Sequence, residues 1–139
     1  MTEAARPPVA AVCDVEPTRP VVVADLCAAA EAMAVRNLRF VTATCLDMGE
    51  TFDIYYHFAD GGVKLENLLV TIPREAELPS ITGSYLGAFL VENEMKELFG
   101  VNVVDIAIDY NGRLFMTELD QPHPMAKVQS GAAPAVAGE

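Results

Sequence analysis

Between Thr51 and Phe58 every second residue is large and apolar: Phe52, Ile54, Tyr56 and Phe58 alternate with Thr51, Asp53, Tyr55 and His57. Successive side chains of a strand point to opposite faces, so the pattern predicts a half-buried antiparallel strand with one apolar and one mixed face. Such a strand constrains everything around it, because its apolar face needs neighbours on both sides and a layer above. Asp60-Gly-Gly62 follows as a hairpin signal, predicting a return strand from Val63 to Ile72 that Pro73 ends. Upstream, Leu38 to Leu46 is rich in Val, Thr and Phe, and Asp47-Met-Gly-Glu50 supplies the turn.

The covering layer is expected from two helices. Asp25 is placed to cap a helix running to about Val35, with Leu26, Ala29, Ala30 and Met33 as its buried stripe. After a connector from Pro73 to Pro79, a second helix is expected to start near Thr82 and stop at Gly100, which suits a left-handed residue past the helix end. On a helical projection Ala88, Val91, Met95, Leu98 and Phe99 share one face, while Glu94 and Glu97 lie opposite. Val103 to Ile108 and Arg113 to Thr117 read as strands around the turn dipeptide Asn111-Gly112. The resulting order, α-β-β-β-α-β-β, predicts an α+β domain over residues 20–118 with a mostly antiparallel sheet and helices on one face. Residues 1–19, with Pro7, Pro8 and Pro17, are expected to form a disordered or loosely packed arm, and residues 119–139 a disordered tail.

Composition removes several functions. Nine basic against twenty acidic residues leave a net charge of −11, which repels nucleic acid and anionic lipid and suits a basic protein partner. No run approaches the roughly 18 apolar residues of a membrane span, so direct insertion is not expected. The N-terminus has no basic start followed by an apolar core, so a cytoplasmic location is expected. Cys13, Cys27 and Cys45 have no CxxC spacing, which disfavours disulfide, zinc and iron–sulfur roles and predicts two part-buried thiols and one in the arm. His57 sits mid-strand and His123 in the proline-rich tail, so neither a Ser/His/Asp nor a Cys/His arrangement is expected. With no phosphate loop either, no catalytic residue, cofactor or metal is assigned.

The acids on the second helix are the feature without an obvious structural role. A carboxylate in the last turns opposes the helix dipole by roughly 0.3–1 kcal/mol, and two at i,i+3 repel each other. Glu92 has Lys96 four residues on in the favourable orientation. For Glu94 and Glu97 two readings stand: a solvated helix face, or a face met by basic groups of a partner. A hard cation held with Asp105, or a general acid–base pair, is weaker for want of nitrogen ligands or a pocket.

The run Glu92-Asn-Glu-Met-Lys-Glu-Leu-Phe-Gly-Val101 resembles the signature of the C-type subunit of NADH–quinone oxidoreductase (respiratory complex I), a family that includes the equivalent subunit of energy-converting nickel–iron hydrogenases. Glu92, Glu94, Glu97, Leu98, Phe99, Gly100 and Val101 fall on the pattern, and Asn93 stands where Arg is usual. Complex I members continue into a Gly-His-Pro-Asp-Leu-Arg-like run, whereas this chain has Asn102-Val-Val-Asp-Ile-Ala-Ile-Asp109, which tilts the resemblance to the hydrogenase branch. The resemblance implies a non-catalytic subunit on the cytoplasmic side of the inner membrane, packed against the large subunit that carries the nickel–iron centre, with iron–sulfur subunits nearby. Glu92, Glu94 and Glu97 would then meet basic partner residues, and Leu90 and Phe99 would add apolar contact, with Phe99 alternatively a core residue. Gly100 is read as purely structural. Complex I itself, and a free-standing acidic binding module, are the alternatives; a subunit predicts an exposed apolar patch beside the acids, a free module a concave pocket there.

Overall fold

The computed structural model describes residues 14–62 and 64–127. Along the chain come β1 (Asp14–Val15), β2 (Arg19–Pro20), α1 (Leu26–Val35), β3 (Arg39–Asp47), β4 (Thr51–Ala59), β5 (Lys64–Pro73), β6 (Glu77–Pro79), α2 (Phe89–Phe99) and β7 (Asn102–Val104). The alternation in β4 does what it predicts: Phe52, Ile54, Tyr56 and Phe58 are all fully buried. β4 lies between β3 and β5, antiparallel to both, and the register sets Cys45, Ile54 and Val70 in one inward row and Phe52 beside Ile72 in the next. Leu26, Ala29, Ala30 and Met33 of α1, with Ala88 and Met95 around α2, close over this face in one core. The fold is therefore α+β, with a mostly antiparallel sheet.

Several expectations fail for identifiable reasons. The stretch 14–20 is not a loose arm: β1 and β2 both pair parallel with β5, as two pieces of one edge strand broken around Pro17. A proline is tolerated there because an edge strand has only one paired side. Residues 1–13, including Cys13, lie outside the described residues. Asp25 occupies the position before α1 without a side-chain capping bond. α2 begins at Phe89 instead of Thr82, preceded by a turn and a short 3-10 stretch at Leu86–Ala88. Of the two late strands only Asn102–Val104 forms, and it pairs parallel with β6. Residues 113–117 form no strand, although Asn111 and Gly112 do turn with positive φ of 53° and 74°.

Gly100 has φ 82°, and both its N–H and that of Val101 return to the Met95 carbonyl, so the helix stop forms as the sequence predicts. The register of β3 shifts between Phe40 and Thr42, leaving Val41 as an extra, exposed residue on the free edge of the sheet. A bulge there breaks the row of unpaired edge groups that another strand could extend.

Candidate functional site

α2 carries the acids, and the fold gives them three different surroundings. Glu92 is 0 % exposed. Its carboxylate accepts from the Ile81 N–H at 2.8 Å and from the Ser80 hydroxyl at 2.6 Å. Ser80 in turn accepts the Thr82 N–H and meets the Thr82 hydroxyl, which takes the Ala107 N–H at 3.0 Å. Burial raises the Glu92 carboxyl above its ordinary 4.5 despite the bonds from Ser80 and Ile81. The expected pairing with Lys96 is absent, because Lys96 reaches Asp109 at 2.8 Å instead. A partner's basic group has no access to Glu92.

Glu97 also turns inward, at 4 % exposure. Its two oxygens receive the N–H groups of Leu114, Phe115 and Met116 at 2.6–3.2 Å. The donors of residues 114–116 thus go to Glu97 instead of to a strand partner. Asn93 is the companion clamp. Its amide donates to the Ile108 carbonyl at 2.8 Å and its oxygen accepts the Tyr110 N–H at 2.9 Å. Where the resembling family usually has Arg, this chain thus has a short amide that binds its own backbone.

The segment from Asp105 to Lys127 is laid along α2 as a strap. His123 bonds the Glu97 carbonyl through Nδ1 at 3.0 Å and packs on Gly100, where an added Cβ would come within 3.1 Å of the ring. Met125 N–H donates to the Leu98 carbonyl at 2.9 Å, and Lys127 N–H to Asp47 at 2.7 Å. Residues 119–127, read from sequence as part of a disordered tail, are therefore fixed; residues 128–139 lie outside the described ones. His123, in the proline-rich stretch, is held in the same way.

Only Glu94 remains on the outer stripe of α2, half-buried. It lines an open groove of ≈ 600 Å³ between α2 and the bulged start of β3, together with Leu86, Leu90, Val41 and Arg39. Leu90 is 49 % and Leu86 58 % exposed, so an apolar strip runs beside the one acid left free to meet a partner. Phe99, the other apolar candidate, packs against the core from its edge. A second cleft, ≈ 300 Å³, opens where Glu97, Arg113 and His123 meet, and shares no lining residue with the groove.

Two buried polar features escaped the sequence reading. Asp47 lies in the β3–β4 turn with Arg74, whose Nη2 sits 2.5 and 2.6 Å from its two oxygens and whose guanidinium stacks 4.6 Å from the Phe52 ring centre. Burial acts to raise the Asp47 carboxyl, but the N–H groups of Lys127 and Gly49 and the Arg74 charge hold it below its ordinary 3.8. The Tyr56 hydroxyl is fully buried and has no hydrogen-bond partner among the described residues. A turn aspartate followed by a distant arginine, or a tyrosine in an otherwise apolar row, gives no local signal of such contacts.

On the mixed sheet face His57 is held by Thr44 at 2.9 Å and Asn67 at 2.7 Å, as a hydrogen-bonded strand histidine. Cys45 is buried, and burial pushes its thiol up to about 12, so it is an inert packing residue; Cys27 is exposed. Among the described residues no group of three His, Cys, Asp or Glu could hold a metal ion, and no helix is long and apolar enough to cross a membrane.

A family model described as the respiratory-chain NADH dehydrogenase, 30 Kd subunit, matches residues 14–134. Among solved structures, a chain of the membrane-bound sulfane sulfur reductase, an archaeal respiratory membrane complex, shares the fold with a TM-score of 0.64 at 17 % identity. The likeness covers 78 % of this chain and 66 % of that one. No curated protein sequence matches significantly.

Proposed function

Because the chain belongs to the family of the 30 kDa subunit of respiratory-chain NADH dehydrogenase, we propose that it is a non-catalytic structural subunit of a membrane-bound redox complex. The complex is of the energy-converting nickel–iron hydrogenase type, and the chain packs against its large subunit on the cytoplasmic side. The observation that supports its being a subunit is the exposed apolar strip along the groove beside α2. Leu86, Leu90 and Val41 are exposed there along Glu94, the apolar patch next to an acid that a subunit requires. Covering such a strip returns roughly 25 cal/mol per Å² of apolar surface, and a basic partner group facing Glu94 fixes the register.

On this reading metals and clusters belong to the large and iron–sulfur subunits, and the chain needs no cofactor of its own. Its net charge of −11 fits basic protein partners and disfavours nucleic acid. The C-type subunit of complex I is the second reading, favoured by the family match itself. Against it stands the segment 102–109, which here forms β7 and the start of the strap in place of the Gly-His-Pro-Asp-Leu-Arg-like run.

The test is a pull-down of the chain from its native membranes in mild detergent, read by mass spectrometry. Co-purification of a nickel–iron large subunit supports the hydrogenase type, and NADH-oxidising subunits move the chain to complex I. A variant carrying Leu90→Asp and Glu94→Lys loses the large subunit while the isolated chain stays folded. Unchanged recovery of the complex from that variant removes the groove from the interface.

A further inference from the structure

The strap from Asp105 to Lys127 contains neither helix nor strand, yet its backbone is held from beneath along its length by Asn93, Glu97, the Leu98 carbonyl and Asp47. Its outward side mixes large apolar side chains with charged ones. Ile108, Tyr110, Phe115, Leu119 and Met125 are all exposed, Phe115 at 61 % and Leu119 at 97 %. Between these bonds Ile106 turns into the core and Tyr110 rests near the Phe89 ring, while Ile108, Phe115, Leu119 and Met125 are left at the surface. A flexible tail would let those side chains fold back onto the surface. This one is clamped and holds them out.

We infer that the strap is a docking surface for a neighbouring protein subunit whose face is apolar with basic groups around it. This rests on the reading that the chain works inside a multisubunit complex. Charge selects the partner. The strap carries Asp105, Asp109, Glu118 and Asp120 against Arg113 and Lys127; Asp109 is paired with Lys96 and Glu118 with Arg113, so Asp105 and Asp120 give it its acidity, on a chain of net charge −11. An anionic lipid surface and a second copy of the same chain both repel that surface, whereas a basic protein surface attracts it. The surface is separate from the groove at Leu90 and Glu94, because no residue of the strap lines that groove. The chain thus touches its complex at two places.

The experiment uses the full chain in its native membranes, with the photo-crosslinking residue benzoylphenylalanine replacing Leu119 in one sample and Leu90 in another. After irradiation the expected product at 119 is an adduct to a protein subunit of the complex. In a companion pull-down, Phe115→Ser with Leu119→Ser lowers recovery of that subunit at least fivefold while the chain keeps its thermal unfolding midpoint. Adducts at 119 to lipid, to a second copy or to nothing, with a protein adduct at 90, overturn the strap inference alone. Adducts at neither position overturn both this inference and the groove reading. Full recovery of the subunit from the double serine variant also overturns it.

Discussion

The Glu92 carboxylate accepts the Ile81 N–H at 2.8 Å inside the core, so the acid that sequence spacing pairs with Lys96 is instead the pin that holds the helix to the turn after β6. An ionised group in that place costs stability, and the cost depends on pH. Its folded pKa lies above the ordinary 4.5, so the folded state holds the proton more tightly than the unfolded chain. Stability from this site is full below about 4.5 and is lost as pH rises through the raised folded value. Glu92→Gln keeps an acceptor for Ile81 and removes the charge. The variant is expected to match or exceed the parent chain at pH 7 in urea unfolding and to lose this part of the pH dependence. Glu92→Ala, which strands the Ile81 donor and leaves a void, is expected to cost about 3 kcal/mol.

Asp47 works in the opposite direction. Its folded pKa lies below 3.8, so its contribution is present above that value and is lost as pH falls through the folded value. Asp47→Asn leaves the Arg74 charge half-enclosed against Phe52 and is expected to cost about 3 kcal/mol at neutral pH. Urea unfolding of parent and variant between pH 7 and pH 2 should converge at the acid end. A constant gap throughout would show that the ion pair is not the source.

The unpartnered Tyr56 hydroxyl predicts a stabilising substitution. Tyr56→Phe removes a buried polar atom with no bond to lose and keeps the ring, so the midpoint of thermal unfolding should rise, by an amount corresponding to about 1 kcal/mol. A fall would mean that the hydroxyl has a bound water as partner.

Gly100→Ala meets two obstacles, a φ of 82° and the His123 ring 3.1 Å from the new carbon. The expected loss is about 1–2 kcal/mol. A double-mutant cycle with His123→Ala separates the two, since only the steric part is relieved when the ring goes. Full additivity would place the whole loss in the backbone.

The β3–β4–β5 meander, the α1 stripe and the left-handed stop at Gly100 were legible because each rests on neighbours in sequence: an alternation, a 3.6-residue period, a single glycine. What was not legible depends on partners far along the chain. Glu97 and the donors at 114–116 are separated by a turn whose local signal, Asn111-Gly112, promises a hairpin, and only the folded position of α2 reveals a better acceptor. The same holds for Glu92, whose sequence neighbour Lys96 offers a plausible pair while Ser80 and Ile81 take it. The acids of α2 have divided roles: Glu92 and Glu97 are buried and bound to the chain's own backbone, and Glu94 alone stays beside the exposed leucines. For β1 and β2, two-residue pieces around a proline carry no periodicity to read.

The parallel pairing of β6 with β7 brings residues 77–79 beside 102–104 and can close only after α2 is in place between them. The meander needs short loops alone and is expected to form early; the strap, which hangs on Asn93, Glu97 and the end of α2, is expected to settle last. Native-state hydrogen exchange should then find the amides of Leu114, Phe115 and Met116 opening well before those of β4. A partner that grips the strap would on that account grip only a finished chain, making maturation of the subunit a condition for its assembly.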